Sequence, residues 1–275
     1  MKSYSPLRYP GGKGQVYHFV AALLEANGLI GCTYIEPYAG GAGVALRLLF
    51  EKKVKKIIIN DYDPAIYAFW YAILNDTDNF IEKIKTTEIS MENWYIQKGI
   101  QTTKDVTDLL SLGFSTFFLN RTNRSGIIKA GVIGGKNQDG LYKMDCRFNK
   151  SNLIDLIRKI ATYKKQIELH NLDALDFLDI VKRRQNQFYF IDPPYYQKGK
   201  QLYTNFYTHD DHVELANYFK KKLKNKQILI SYDNCPEIGK LYDKQHQKVK
   251  SLNYSVGTKR LGEEIFITQN LKSIS

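Results

Sequence analysis

The string Asp192-Pro193-Pro194-Tyr195 carries the most specific chemistry in the sequence, and it directly follows the apolar run 188–191. The carboxylate and the Pro193 carbonyl can each accept one N–H of an exocyclic amine, because consecutive prolines fix the acceptors without adding donors. The lone pair of an amine conjugated to a purine ring is withdrawn into the ring, and the two acceptors return electron density to the nitrogen so that it can be methylated. Tyr195 offers a flat face to a base taken out of its helix. The string therefore predicts a site for methylating a ring amine, in preference to a proline-rich surface turn.

A second candidate site is the glycine-rich segment 36–43, which lies between a strand-like run and a helical run. Its glycines permit a tight turn and let a ligand approach the backbone N–H groups of a helix N-terminus. Asp61 ends the next strand, where an acid can accept hydrogen bonds from both ribose hydroxyls of a nucleoside cofactor. Two simpler readings stay open. The turn could bind nothing, and Asp61 or Asp63 could cap the helix starting at Pro64, with Asp63 the better cap.

Short apolar runs alternate with helical patterns along most of the chain, which is typical of βα units and predicts a doubly wound, Rossmann-like α/β sheet. The predicted strands are 33–35, 56–60, 167–170, 188–191 and 227–231, followed by a closing pair at 248–256 and 264–269. The predicted helices are 43–52, a helix from Pro64, 80–85, 105–118 and 153–163.

Residues 76–165 interrupt this alternation, because they contain helical patterns but no clear core strand. Five of the 19 glycines fall between Gly126 and Gly140. The sequence therefore predicts an inserted, mostly helical subdomain at 76–165, with residues 1–75 and 166–275 forming the catalytic domain.

Positive charge is concentrated in this insert. The chain has 40 Lys and Arg against 28 Asp and Glu, a net charge of +12, and residues 120–165 hold eleven basic and three acidic side chains, or +8. Two interpretations fit: a solvated patch that keeps the protein soluble, or a surface that contacts the phosphate backbone of a nucleic acid.

The composition excludes several protein classes. No stretch approaches the roughly 18 apolar residues of a membrane span, and the first residues lack an apolar export segment, so a cytoplasmic location is expected. Cys32, Cys146 and Cys235 are far apart and lack zinc-site spacing, so neither a disulfide framework nor a metal site is expected.

The motifs and their order resemble the D12, or Dam-like, class of DNA adenine-N6 methyltransferases, which are class I S-adenosylmethionine-dependent enzymes. The segment 8–13 (Arg-Tyr-Pro-Gly-Gly-Lys) is similar to the family's N-terminal motif, segment 36–43 to its glycine loop, and Asn60-Asp61 to its ribose-binding acid. Asn171-Leu172-Asp173 is similar to its adenine-contacting segment, and residues 192–195 to its catalytic tetrapeptide. The resemblance implies S-adenosyl-L-methionine as cofactor, bound by Tyr9, Lys13, Glu36, Pro37, Gly40, Gly41, Gly43, Asp61, Asn171, Asp173 and Asp192.

Parts of the insert resemble the DNA-contacting region of the same family, which implies contacts from Asn120, Arg121, Asn123, Arg124, Lys136, Lys143, Arg147 and Lys150. The sequence after the Asn120-Arg121 pair differs from that of the family members that read GATC, so the resemblance does not imply GATC as the recognition site. Arg121 is expected to be structural or to contact the DNA backbone. Arg124 and the loop 131–143 are expected to lie nearest the bases.

The predicted function is site-specific transfer of a methyl group from S-adenosylmethionine to adenine N6 in double-stranded DNA, with base flipping and direct attack of the amine. A restriction-modification or phage methylation system is the expected setting, with a restriction endonuclease as genetic partner and the enzyme as a monomer. The alternatives are a cytosine-N4 methyltransferase, an RNA adenine methyltransferase, an inactive DNA-binding relative and, last, a nicotinamide-dependent Rossmann enzyme.

Overall fold

A computed structural model describes residues 4–8, 14–197, 207–254 and 260–272. The chain forms two compact units. The first comprises Met1–Pro10 and Tyr62–Asn171, and the second comprises Gly11–Asp61 and Leu172–Ser275.

The α-helices of the described residues are α1 (Gly14–Ala26), α2 (Gly43–Phe50), α3 (Pro64–Asn75), α4 (Thr77–Thr86), α5 (Met91–Thr103), α6 (Leu109–Thr122), α7 (Lys150–Thr162), α8 (Ala174–Val181), α9 (His209–Lys222) and α10 (Pro236–Leu241). The strands are β1 (Thr33–Glu36), β2 (Lys56–Asn60), β3 (Ile167–His170), β4 (Gln187–Ile191), β5 (Gln227–Asp233), β6 (His246–Tyr254) and β7 (Arg260–Gln269). None of the helices in these ranges combines the length and apolar composition that crossing a bilayer requires.

The second unit contains a sheet with the strand order β2-β1-β4-β5-β7-β6. The first four strands are parallel, and β7 pairs antiparallel with both β5 and β6. The chain runs from β1 outward to β2, whereas β4 and β5 lie on the other side of β1. The strand order therefore reverses at the carboxyl ends of β1 and β4, the position at which open α/β sheets bind ligands.

The four parallel strands β1, β2, β4 and β5 are buried on both faces, as parallel strands covered by helices are. On one face, Ile35, Tyr189 and Ile230 belong to a core that also contains Phe177 of α8 and Phe219 of α9. On the other face, Tyr34 of β1 stacks near Phe188 and Phe190 of β4, at ring distances of 6.0 and 6.3 Å. Both faces are therefore apolar, and the polar residues of the unit collect at the strand ends.

The first unit contains α3 to α7 and β3. Its centre is an aromatic cluster formed by Phe69, Phe80, Phe114, Phe117 and Phe148, with ring-centroid distances of 5.2 to 6.4 Å between contacting pairs. Packing of α6 on α3 is close, since a Cβ atom at Gly113 would lie 2.5 Å from the carbonyl oxygen of Ala68.

The predicted α/β doubly wound fold is confirmed, and each predicted strand is present within a few residues of its expected position. The predicted closing pair is the antiparallel hairpin of β6 and β7. Helix α5 was not predicted, and α6 begins at Leu109 instead of 105. The first unit also includes α3 and β3, which lie outside the predicted insert 76–165. The assignment of 76–165 to target recognition, and of the remaining residues to catalysis, stays a prediction.

Candidate active site and nucleic-acid interface

The glycine-rich segment 36–43 forms a tight turn between β1 and α2. Gly40 and Ala42 both have positive φ angles, of 46° and 45°, and the Ala42 N–H donates to the Ala39 carbonyl at 2.6 Å. Ala42 is the N-cap of α2 and provides no side-chain cap, so the first N–H groups of the helix are not capped by that residue. The turn thus presents backbone donors at the carboxyl edge of the sheet.

Asp61 lies beside this turn. Its Oδ2 accepts a hydrogen bond of 2.8 Å from the Gly40 N–H, and the side chain is half-buried. The helix cap is Asp63, as predicted, because its carboxylate accepts from the Ala65 N–H at 3.0 Å. The acid at the end of β2 is therefore held against the glycine loop and is not used as a helix cap.

Asn60 connects three segments at this edge. The side chain is fully buried, its Nδ2 donates to the carbonyls of Pro37 and Leu172 at 3.0 Å each, and its Oδ1 accepts from the Leu172 N–H at 2.9 Å. The Asn60 carbonyl also accepts from the Ala39 N–H at 2.9 Å. One amide thus fixes the loop after β1 and the segment before α8.

The other residues predicted to bind the cofactor lie in different settings. Glu36 is buried at the end of β1, and Asp173 caps α8 by accepting from the Leu175 N–H at 2.8 Å. Asn171 belongs to the first unit, where its Nδ2 donates to the Tyr62 carbonyl at 3.2 Å. Tyr9 and Lys13 lie outside the described residues. The structure therefore brings the turn, Asp61 and Asp173 to the same edge of the second unit.

The tetrapeptide 192–195 follows β4, as predicted. Asp192 and Tyr195 are 6% and 5% exposed, and Pro193 is also buried. The Tyr195 hydroxyl donates to Glu264 Oε1 on β7 at 2.7 Å. The carboxylate of Asp233, at the end of β5, accepts from the next two backbone N–H groups, those of Tyr196 at 2.8 Å and Gln197 at 2.9 Å. Side chains from β5 and β7 thus hold the catalytic segment from its C-terminal side.

An aromatic cluster surrounds His212 of α9 behind this segment. The His212 ring lies 5.2 Å from Tyr196 and 5.4 Å from Tyr207, and its Nδ1 is 2.9 Å from the Tyr232 hydroxyl. Burial lowers the pKa of His212 to about 4, although the carboxylates of Asp233 and Asp211 act in the opposite direction. The imidazole is therefore neutral near pH 7, and it packs against the rings of Tyr196 and Tyr207.

Three aromatic residues follow the catalytic segment in the sequence, Tyr203, Phe206 and Tyr207, and their types suit either flanking a flipped base or packing within the fold. Tyr207 has a partner within the fold. Its hydroxyl is 2.9 Å from that of Tyr38, and burial raises its pKa to about 12. Tyr203 and Phe206, considered for the same role, lie outside the described residues.

In the first unit, Asn120 uses its amide to hold the protein backbone. The side chain is 2% exposed; its Oδ1 accepts from the Arg8 N–H at 2.6 Å, and its Nδ2 donates to the carbonyls of Arg8 and Gly126 at 2.7 Å each. A Cβ atom at Gly126 would lie 2.5 Å from the Arg8 carbonyl oxygen, so this approach requires glycine. These contacts give Asn120 a role in folding the insert.

Asn123 is also fully buried. Its Oδ1 accepts from the Trp94 indole N–H at 2.7 Å, and its Nδ2 donates to the carbonyls of Ile127 and Ile128. The expectation that the two asparagines touch DNA directly is untested, but their hydrogen-bonding groups are directed into the protein.

Arg121 lies near two further guanidinium groups, those of Arg8 and Arg147. Burial first, and then the positive charges of these two groups, lower its pKa to about 10. Its Nε is buried and makes no hydrogen bond within the described residues. Over the same residues, none of the three arginines forms an ion pair with a carboxylate. The three groups therefore make a positively charged cluster without an acidic partner there.

The remaining predicted DNA contacts differ in exposure. Arg124 and Lys136 are exposed, and Lys143 is exposed while donating to the Gln138 carbonyl. Lys150 donates to the carbonyls of Lys85 and Thr87 at 2.8 Å, and so provides a donor for carbonyl groups at the C-terminal end of α4. Arg124, Lys136 and the likewise exposed Arg147 are thus the predicted residues most open to a ligand.

The loop 131–143 is held together by Gln138. Its Nε2 donates to the carbonyls of Ile133 and Gly135, and its Oε1 accepts from the Met144 N–H. The loop therefore has a defined shape even though it is rich in glycine.

Comparison with known proteins identifies the family. The family of D12 class N6 adenine-specific DNA methyltransferases matches residues 9–256, which is most of the chain. The chain belongs to this family. As a D12 methyltransferase it is an S-adenosylmethionine-dependent enzyme that methylates adenine in DNA.

Two similar proteins are curated as Type II methyltransferases. M.MjaIII of Methanocaldococcus jannaschii is 27% identical over 258 residues, which cover 86% of this chain and 87% of the relative. M.CviBI of Paramecium bursaria Chlorella virus NC1A is 26% identical over 247 residues, with 86% and 87% covered. Among solved structures, a Listeria monocytogenes protein described as a class I S-adenosylmethionine-dependent methyltransferase is 11% identical, with a TM-score of 0.41; the match covers 96% of this chain and 62% of that one.

Sequence reasoning missed two residues that contact the catalytic segment of this D12 methyltransferase, Asp233 and Glu264. Asp233 ends β5 after an apolar run, and Glu264 precedes the apolar run 265–267 of β7, but their partners at 195–197 are 36 to 69 residues away. Only the pairing of β5 with β7 brings them together.

Proposed function

We propose that the second unit binds S-adenosylmethionine at the carboxyl edge of its sheet and orients the target adenine amine with Asp192. The observation that carries this proposal is the position of the tetrapeptide 192–195, which directly follows β4, the parallel neighbour of β1, whose own carboxyl end continues into the glycine loop. Membership of the D12 family supplies the reaction: transfer of the sulfonium methyl group to adenine N6.

The residues at this edge fit S-adenosylmethionine. The turn at 36–43 offers backbone N–H donors for a carboxylate at the N-terminus of α2. Asp61, held by the Gly40 N–H, is an acceptor suited to ribose hydroxyls. Gly41 and Gly43 keep side chains away from the same turn. Asp173 completes the proposed set within the second unit, with Glu36 and Pro37 at the end of β1.

Asp192 and Pro193 are proposed to act on the amine. An Asp192 carboxylate oxygen and the Pro193 carbonyl each accept one N–H of the target amine, which returns lone-pair density to nitrogen and aligns it for attack. The new bond from N6 to the methyl carbon would form as the bond from that carbon to the sulfonium sulfur breaks, with S-adenosylhomocysteine as the leaving group. The extra amine proton is then lost to water, so a strong general base is not required. Tyr195 is proposed to stack on the flipped base, and Pro194 to hold it at a fixed distance from Asp192.

The first unit is proposed to contact DNA. Arg8, Arg121 and Arg147 support this, because like charges that share a partly buried site are stabilised when an anion such as a phosphate joins them. Arg124 and Lys136 add exposed positive charge, and Arg124 with the loop 131–143 is proposed to lie nearest the bases. Residues 76–165 therefore serve target recognition in this proposal.

The biological setting is proposed from the relatives. M.MjaIII and M.CviBI are Type II methyltransferases, which supports a restriction-modification or related methylation system for this enzyme. A cognate restriction endonuclease is then the expected genetic partner. One insert and one active site can treat one DNA strand at a time, which favours a monomer.

Methylome sequencing of a methylation-free bacterial host that expresses the chain tests the proposal. We expect N6-methyladenine in one short sequence motif and no modified cytosine. N4-methylcytosine, or no modified base from a chain that binds S-adenosylmethionine, would contradict it.

A further inference from the structure

Glu264 of β7 is a buried carboxylate whose hydrogen bonds involve the catalytic segment. It is 1% exposed; its Oε1 accepts from the Tyr195 hydroxyl at 2.7 Å, and its Oε2 accepts from the Ser231 hydroxyl at 2.9 Å. A buried carboxylate is stable only when donors replace its lost hydration. Tyr195 supplies one of those donors, so the hydroxyl end of its ring is fixed by β7.

Asp233 lies on β5, the antiparallel neighbour of β7, and accepts hydrogen bonds from the same segment. It is 7% exposed, and its two oxygens accept from the N–H groups of Tyr196 and Gln197. Asp233 and Glu264 are paired residues in the register of β5 and β7. The paired strands β5 and β7 therefore present two adjacent carboxylates, Glu264 to the Tyr195 side chain and Asp233 to the backbone that follows it.

We infer that Asp233 and Glu264 are positioning residues for methyl transfer, and that they act by fixing Tyr195 and the backbone of 196–197. The inference rests on the proposed function, because it assigns Tyr195 to the base. Neither carboxylate touches the reacting atoms. Asp192 and the Pro193 carbonyl precede Tyr195 directly, so movement of the 195–197 backbone also moves the two acceptors of the amine.

The expected effect is on the rate of the chemical step. Displacement of a reacting group by about 1 Å costs on the order of 100-fold in rate. Loss of these contacts therefore lowers kcat, whereas the affinity for S-adenosylmethionine stays the same because the glycine loop and Asp61 are unchanged.

The kinetic test uses single-turnover transfer of labelled methyl groups from S-adenosylmethionine to unmethylated genomic DNA. We expect Tyr195→Phe and Glu264→Leu each to lower the rate by about 10- to 100-fold, and the double variant to lose no more than one single variant, because both remove the same contact. Glu264→Gln keeps an oxygen that accepts the hydroxyl, so its rate stays within about threefold of wild type. Asp233→Asn keeps one acceptor for two N–H groups, so its single-turnover rate should fall about tenfold.

Glu263→Gln is the matched control, since Glu263 is the neighbouring acid on β7, is exposed and bonds to Asn234. Its rate should equal that of wild type. A Glu264→Leu enzyme with the wild-type rate, or losses that multiply in the double variant, would overturn the inference.

A second readout does not depend on activity. A double-mutant cycle on the unfolding midpoint, with Tyr195→Phe and Glu264→Leu, should show that the two changes are not additive, because each variant removes the same contact. Additive changes would overturn the inference. A wild-type chain that transfers no methyl group to adenine would contradict the proposed function instead, and the cycle would still decide whether the two side chains are coupled.

Discussion

Asn60 shows how one buried side chain can hold a binding edge together. Its amide satisfies the Pro37 carbonyl and both backbone groups of Leu172, in loops that the sheet alone does not connect. Removal of the amide leaves these buried groups without this partner, which costs more than the hydrogen bonds contribute on average.

We therefore expect Asn60→Ala to lower the free energy of unfolding by about 2–4 kcal/mol. Affinity for S-adenosylmethionine should fall as well, because the turn and Asp61 lose their support. Denaturant unfolding and calorimetric titration measure the two effects. Asn75→Ala is the control, since Asn75 is exposed and its side chain donates to the carbonyl of Tyr71 one turn earlier in the same helix. Equal stability of the two variants would contradict this role of Asn60.

The site residues could be predicted where a local string determines the chemistry. Asp192 was recognised from its two prolines, and Asp61 from its place at a strand end. Glu264 could not be found in this way, because its partner Tyr195 is 69 positions away and the register of β7 decides the contact. Asn120 was expected to contact DNA, and only the structure shows its amide bonded to Arg8 and Gly126.

At the scale of elements, the strands were predictable because a strand buried on both faces is a short apolar run. The run Ile57-Ile58-Ile59 is an example, and all three residues are fully buried. Helix α5 was not predictable from apolar periodicity. It is polar along most of its length, and only Trp94 and Gln97 are buried in it. Its start is set by Ser90, whose hydroxyl accepts from the Asn93 N–H.

The packing of α6 on α3 depends on Gly113. A side chain there would lie 2.5 Å from the Ala68 carbonyl oxygen, whereas a Cβ atom at Gly99 of α5 meets nothing within 4 Å. We expect Gly113→Ala to destabilise the protein by about 1–3 kcal/mol through overpacking. Gly99→Ala should instead stabilise it by about 0.5–1 kcal/mol, because alanine favours the helix.

Thermal or denaturant unfolding of the two variants compares the same substitution in two helices. A Gly113→Ala protein as stable as Gly99→Ala would show that α3 and α6 are not in close contact.

At the scale of the whole molecule, the net charge of +12 is unevenly distributed, with +8 between residues 120 and 165. Removal of two exposed charges there, by Arg124→Gln with Lys136→Gln, should reduce the slope of log affinity against log salt by about 2, since each phosphate contact contributes about 0.9.

The control removes two exposed lysines of the second unit, Lys55 and Lys224, by the same change to Gln. Its salt slope for DNA should equal that of wild type. Equal slopes for both double variants would place the DNA elsewhere on the protein.

Nucleoside analysis of DNA treated with wild type and Asp192→Ala tests the central claim most directly. We expect N6-methyladenine from wild type and a loss of at least about 10³-fold in Asp192→Ala, because the variant lacks an acceptor for the amine. Binding of DNA by the variant should stay close to that of wild type. A variant that methylates adenine at the wild-type rate would contradict the mechanism.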